Sequence, residues 1–300
     1  MYSHPVTEKP LIIEARINEV AMREHGNPNV PYSSAEIVEE ACRAWEAGAS
    51  IIHWHGRDPV SGVPRNDPEL YLEVIEGIRA RTDALVHPTL GYISEPTIEG
   101  RLRHIRAAES NPRTAVDFVP VDFGTLNVDL WDTQNKMWET MDRVYLNPRS
   151  SLDGVLRAFK EMGKAVITVS WDIGHVRTAK RFAEQGLLPR KALWEFFLTG
   201  ERKPSGAAVS WHGLQALLAE LDPGDEWLVA TWGDNLQAAA WAITLGGHVG
   251  IGLGDYPYTR FGKLHNGDVV ALVAGLARTL GRPVARPADV RRMLEMELVH

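Results

Sequence analysis

The chain has 300 residues, 44% of them hydrophobic, and its 32 Lys and Arg against 39 Asp and Glu give a formal charge of −7. No basic block is present to track phosphates, which excludes nucleic acid as an expected partner. A single cysteine, Cys42, excludes an internal disulfide or thiolate cluster, and without an apolar signal core or a run of roughly 20 apolar residues the expectation is a cytoplasmic protein with no membrane partner.

In chain order, short apolar runs alternate with longer amphipathic ones. The first predicted strand, LIIEARIN at 11–18, sets Ile12, Glu14, Arg16 and Asn18 on one face and Ile13, Ala15 and Ile17 on the other. The apolar face should meet helices, which sends a carboxylate and a guanidinium inward. Unpaired charge there is costly and implies a partner or a ligand; a buried structural Glu14–Arg16 pair is the alternative. Glu19 follows at the rim.

A helix at 34–48 leads to SIIHWH at 50–55, where His53 and His55 are two apart, point the same way and can meet one metal. Core histidines satisfied by hydrogen bonds are the competing reading. A helix at 66–82 precedes ALVHPTL at 84–90, which ends in His87 and Thr89. A helix at 97–110 precedes VDFVPVD at 116–122, with Asp122, Thr125 and Asn127 at its end. A helix at 151–162 precedes AVITVSW at 165–171, followed by Asp172 and His175. Beyond these come a helix at 175–185, EFFLTG at 195–200, a helix at 207–221, WLVATWG at 227–233 with Asp234 and Asn235, a helix at 234–246, HVGIGLG at 248–254 and a helix at 265–280.

Eight strand–helix repeats without a linker argue for a single-domain (β/α)8 TIM barrel over 1–300, completed by a C-terminal helical extension. A glycine-rich nucleotide fingerprint after the first strand is missing. The site of such a barrel lies at the C-terminal strand ends, where Glu19, His87 and Asp122 are expected to touch substrate and Trp171, Trp211 and Trp232 to wall the pocket. Gly250, Gly252 and Gly254 strip one face of the last strand, which adjoins the first when a barrel closes, so they are expected to leave room for Glu14 and Arg16. Relief of a tight barrel corner is the plainer alternative.

The sequence resembles the β-keto acid cleavage enzymes, a metal-dependent (β/α)8 family first described as a domain of unknown function. The resemblance covers almost the whole chain and rests on NPNVPYSSAEIVEEACRAWEAGASIIHWHGRDPVSG, VDFGTLNVD, WDIGH, GGHVGIGLGDYPY and GRPVARPADVRRML. It implies an acyltransferase dependent on zinc or another divalent metal, in which a β-keto acid and the co-substrate acetyl-CoA give acetoacetate and a new acyl-CoA, in a homotetramer. It also implies His53 and His55 as metal ligands, Asp255 as the catalytic group acting on the acetyl-CoA methyl, Thr89 as the strand-three hydroxyl, and Thr125 and Asn127 as the polar pair after strand four.

Where the family usually has Arg-Val-Gly-x-Glu-Asp, this chain has Gly250-Ile251-Gly252-Leu253-Gly254-Asp255, so the strand-eight arginine and the metal-binding glutamate are both glycine. Apolar Val169 stands near the family's strand-five glutamate. Glu14 and Arg16 are expected to compensate, Glu14 completing a His2Glu metal site and Arg16 supplying the catalytic positive charge, with Glu19 or Asp255 next in line as ligand. The alternatives are a metal-dependent hydrolase using His53, His55, His175, His212 and Asp255, another C–C lyase, and a non-catalytic binding protein.

Overall fold

Alternation along each strand decides which side chains meet the helices and which fill the barrel. In β1 (Ile13–Arg16), Ile13 and Ala15 join the large apolar layer under the helices, while Ile12 belongs to the smaller inner cluster with Ile51, Leu85, Phe118, Ile167 and Leu228. The computed structural model describes residues 8–19, 21–90, 95 and 97–296.

Seven more parallel strands follow: β2 (Ile51–Trp54), β3 (Leu85–Pro88), β4 (Phe118–Asp122), β5 (Ala165–Ser170), β6 (Leu193–Thr199), β7 (Glu226–Trp232) and β8 (His248–Ile251). Their spatial order is β3-β2-β1-β8-β7-β6-β5-β4. The two ends of this order meet where Asp117 N donates to the Val86 carbonyl at 3.1 Å and Val86 N donates to the Asp117 carboxylate at 2.8 Å. Arg79 and Arg291 hold that buried carboxylate at 3.1 and 2.5 Å from the partly exposed side, so the seam is pinned by an ion triplet. The result is the expected single-domain (β/α)8 barrel.

The helices lie where amphipathic periodicity places them, from Ser34–Ala47 to Asn266–Thr279. The first is opened by a capping box, in which Ser33 Oγ accepts from Glu36 N at 3.3 Å and the Glu36 carboxylate accepts from Ser33 N at 2.9 Å. The C-terminal helix Pro287–Met293 brings Val290 against the inner apolar cluster. One excursion was not legible in the sequence pattern: after β4, Leu126–Asn127 pairs with Val144–Tyr145 and Trp131–Asp132 pairs with Met137–Trp138, both antiparallel.

Candidate active site

His53 and His55 leave the C-terminal end of β2 on the same side, as a two-residue repeat requires. Their Nε2 atoms stand 3.3 Å apart, and His53 Nδ1–H donates to the His87 carbonyl at 2.9 Å, which turns the His53 Nε2 lone pair toward His55. Burial keeps both rings neutral, His53 well below the ordinary histidine range and His55 at about 4 despite the opposing charge of Glu19. Two nitrogens bound to one tetrahedral ion at about 2.0–2.1 Å are about 3.3 Å apart, so this spacing fits a shared divalent cation.

The carboxylate that joins this pair is Glu19, whose oxygen lies within 4.8 Å of both histidine nitrogens. Glu14, expected to complete the His53 and His55 set, instead groups with His53 and His87 in a second, fully buried cluster. The reason is depth: Glu14 pairs in register with Ile51, so its side chain starts one layer below His53 and two below His55. There it lies 3.6 Å from His87 Nδ1, with one oxygen unpartnered.

Arg16 ties the floor together. Its Nη1 donates to Glu14 at 3.0 Å and Glu195 at 2.9 Å, its Nε donates to Asp255 at 2.6 Å, and its Nη2 donates to Glu19. One guanidinium cannot balance four carboxylates, and the four divide. Burial would raise Glu14, but His87 and Arg16 hold it below the usual range; burial would raise Glu19, but Arg16, Asp255 and His55 bring it to about 2. Burial wins at Glu195 and Asp255, aided by their ionised neighbours, and both carboxyls are pushed well above the usual range in spite of Arg16. Burial and charge thus push the four carboxyls in opposite directions, Glu14 and Glu19 down, Glu195 and Asp255 up.

The glycine face of β8 makes this arrangement possible. A Cβ on Gly252 would overlap the Arg16 carbonyl, one on Gly254 would overlap the Glu19 amide, and one on Gly250 would stand 3.2 Å from Arg16 Cδ. The room goes to the backbone of strand one and the stem of Arg16; Glu14 is not the nearest neighbour of any of the three.

Above this floor is a cavity of about 130 Å³ bounded by Thr89 and Leu90 on one side and by Asp122, Trp171, Phe197 and Trp232 on the other. Asp122 accepts from Trp171 Nε1 at 2.7 Å and Tyr145 OH at 2.8 Å, and burial pushes its carboxyl upward against those bonds. Arg16, Glu19, His53, His55, His87, Thr89 and Asp122 all line the cavity. Asp255 stands behind the Arg16–Glu19 pair and is not on the wall.

Thr125 and Asn127 are exposed and lie outside the lining, because the short ladder after β4 turns them outward; Thr125 Oγ1 accepts from Asn147 N at 2.8 Å. His175 caps its own helix turn against Trp171 N at 3.4 Å, and His212 is exposed, so the histidines of the hydrolase alternative do not converge. Trp211 packs against Trp241 away from the cavity, at 5.8 Å between rings. Four polar lining residues escaped the sequence reading: Glu195 on β6, Tyr145 on the short ladder after β4, and Arg143 and Lys203 on loops. A lone charge in LWEFFLT was the only available sign of Glu195.

A family model described as beta-keto acid cleavage enzyme matches residues 10–296. Two relatives called 3-keto-5-aminohexanoate cleavage enzyme, from Fusobacterium nucleatum and Acetoanaerobium sticklandii, are 31% and 29% identical over 96% and 95% of this chain, and over 98% and 97% of their own. A 3-oxoadipate:acetyl-CoA acetyltransferase from Cupriavidus necator is 28% identical over 95% of each chain. Among solved structures, apo ObcA aligns with a TM-score of 0.66 at 16% identity, covering 90% of this chain and 66% of its own length, a likeness of fold. With a match that runs through all eight strands and carries the paired histidines with it, the chain belongs to the β-keto acid cleavage enzyme family.

Proposed function

We propose that this chain exchanges acyl groups between a β-keto acid and acetyl-CoA, releasing acetoacetate and a new acyl-CoA, with a divalent metal, zinc in the first instance, at His53, His55 and Glu19. The observation that carries the reading is the pair of neutral, facing Nε2 atoms with an ionised carboxylate beside them at the C-terminal mouth of the barrel. Relatives named for the same exchange support it. An ion held there would act as a Lewis acid toward the keto oxygen.

Atom balance corrects one expectation about the proton. Acetoacetate keeps the CH2–COO⁻ unit of the keto acid, so the carbon that must lose a proton is the keto acid methylene, and the acetyl-CoA methyl is a spectator. That carbon joins the acetyl carbonyl as the thiolate leaves; the thiolate then attacks the original keto carbonyl, the older C–C bond breaks, and the carbanion left on acetoacetate takes back the proton removed at the start. Asp255, in its ionised form, is our candidate for the proton acceptor, since burial gives it a high proton affinity and its Oδ1 has no hydrogen-bond partner. Because it stands behind Glu19, this assignment requires the Arg16–Glu19 pair to shift on substrate binding. Arg16, expected to be catalytic, has all three nitrogens committed to carboxylates, and we assign it the positioning of Glu19 and Asp255. We assign to the Thr89 hydroxyl, which lines the cavity with the histidines, a hydrogen bond to the keto acid carboxylate.

The test is metal content by elemental mass spectrometry in wild type, Glu19→Gln and Glu14→Gln, alongside acetoacetate release from β-keto acids with acetyl-CoA. Stoichiometric metal that falls in Glu19→Gln and persists in Glu14→Gln is expected. The reverse pattern moves the ion to the Glu14, His53 and His87 cluster. No metal in any sample removes the mechanism.

A further inference from the structure

Two cations on the cavity wall have no role in the reaction as derived. Lys203 and Arg143 line the cavity but come from the loops after β6 and β4. Those loops are tied together, Trp131 N donating to the Arg202 carbonyl at 2.8 Å and Arg202 pairing with Glu139 at 3.1 Å. Arg16 is surrounded by carboxylates, whereas among the described residues no carboxylate lies within ion-pair distance of Lys203 or Arg143.

The Lys203 ammonium rests over the Trp232 ring, 2.8 Å from its centroid, and Trp232 is itself wedged edge-to-face against Trp171 at 4.6 Å and Phe197 at 5.2 Å. An aromatic face of this kind attracts cations. Here the chain's own ammonium already occupies it, so a substrate bearing a positive group at that end meets like charge. A half-buried ammonium with no acceptor among the described residues is poorly solvated, and burial lowers Lys203 to about 7 even though Glu19 pulls upward. An arriving anion restores the missing partner.

We propose that Lys203 and Arg143 form a distal anion subsite, so that the keto acid taken by this chain carries a second carboxylate at the end away from the histidines: a β-keto dicarboxylic acid. The inference rests on the reading above, in which the β-keto acid end lies at His53 and His55. A cavity of about 130 Å³ suits a small acid, close in size to cavities of roughly 150 Å³ that hold a benzene ring, and excludes the nucleotide of CoA from its interior.

The experiment compares the metal-loaded enzyme on 3-oxoadipate and 3-oxohexanoate, equal in chain length and differing in the terminal carboxylate, in wild type, Lys203→Met and Lys203→Arg. Wild type should prefer the dicarboxylate, Lys203→Met should raise its KM roughly 10- to 100-fold while leaving the monocarboxylate within about twofold, and Lys203→Arg should recover most of the loss. Equal kcat/KM for the two acids in wild type, or an equal loss on both in Lys203→Met, overturns the subsite. A phosphate of CoA is the other anion that could sit there. An effect of Lys203→Met seen with acetyl-CoA but absent with acetyl-N-acetylcysteamine assigns the subsite to CoA and overturns the proposal. If neither acid turns over, the reaction is misread, and calorimetric binding of adipate against hexanoate then decides the subsite: a preference for adipate that Lys203→Met removes supports it, and equal binding overturns it.

Discussion

Arg16 carries more of the site's charge balance than any other side chain, and its removal should be felt first as instability. Arg16→Met leaves Glu14 and Glu19 buried without a counter-ion, and unpaired buried charge of this sort typically costs about 3–5 kcal/mol. Denaturant unfolding should show that loss, and Glu14→Gln in the same chain should recover part of it by removing one of the stranded charges. An unchanged midpoint in Arg16→Met would mean that the carboxylates simply take up protons. The residues of this cluster were unequally legible. Glu14, Arg16, His53 and His55 stand two apart on their strands, and period-two spacing alone turns each pair inward. Glu195 was missed because its strand was read as beginning at that residue, whereas β6 begins at Leu193, and its partner Arg16 lies 179 positions away in the chain. Lys203 and Arg143 belong to loops, whose course is fixed by tertiary contacts that no local pattern records.

At the level of elements, β8 is the strand whose composition is dictated by its neighbour. Gly252→Ala and Gly254→Ala each drive a methyl into the strand-one backbone, which can yield only by spreading the β1–β8 ladder. Each should cost upward of about 1–3 kcal/mol and lower metal affinity together with stability. Gly250→Ala meets side-chain atoms at 3.1–3.2 Å and should be milder on both counts. Comparing unfolding midpoints and metal stoichiometry across the three variants checks this order; Gly250→Ala as damaging as Gly252→Ala would contradict it. The eight barrel strands and their helices were legible because each has a period and an amphipathic face. The segment 126–145 was not, since ladders of two residues are too short to show alternation, and its turns outward are what carry Thr125 and Asn127 off the wall.

For the molecule as a whole, acid should be destabilising well before the carboxylates titrate. His104, donating from Nε2 to the Thr89 carbonyl at 2.7 Å, and His248, accepting from Ile12 N at 3.0 Å, are both held neutral by burial, at about 4. In the unfolded chain they protonate near 6.5, so stability is full above that pH and falls between about 6.5 and 4, by an order of 1–3 kcal/mol per group. Glu226 adds a second, lower window. Burial would raise its carboxyl, but hydrogen bonds from His248 and Lys9 bring it to about 2, so its contribution is lost as pH drops from about 4.5 toward 2. Thermal midpoints measured from pH 7 to pH 4 should decline, and His104→Gln should flatten the decline; a profile level across that range would refute the assignment.

The hydrogen bond from Arg16 to Asp255 spans 239 positions of sequence, joining the first barrel strand to the loop after the last. The site therefore straddles the join between the first and last barrel strands, and no fragment that lacks β1 or the residues just after β8 can assemble it. Whatever binds across that join acts as a clasp on the closed ring, and mass action then makes resistance to unfolding and to terminal proteolysis rise with its concentration. A chain emerging during synthesis gains the Arg16–Asp255 bond only after its last barrel strand has been made.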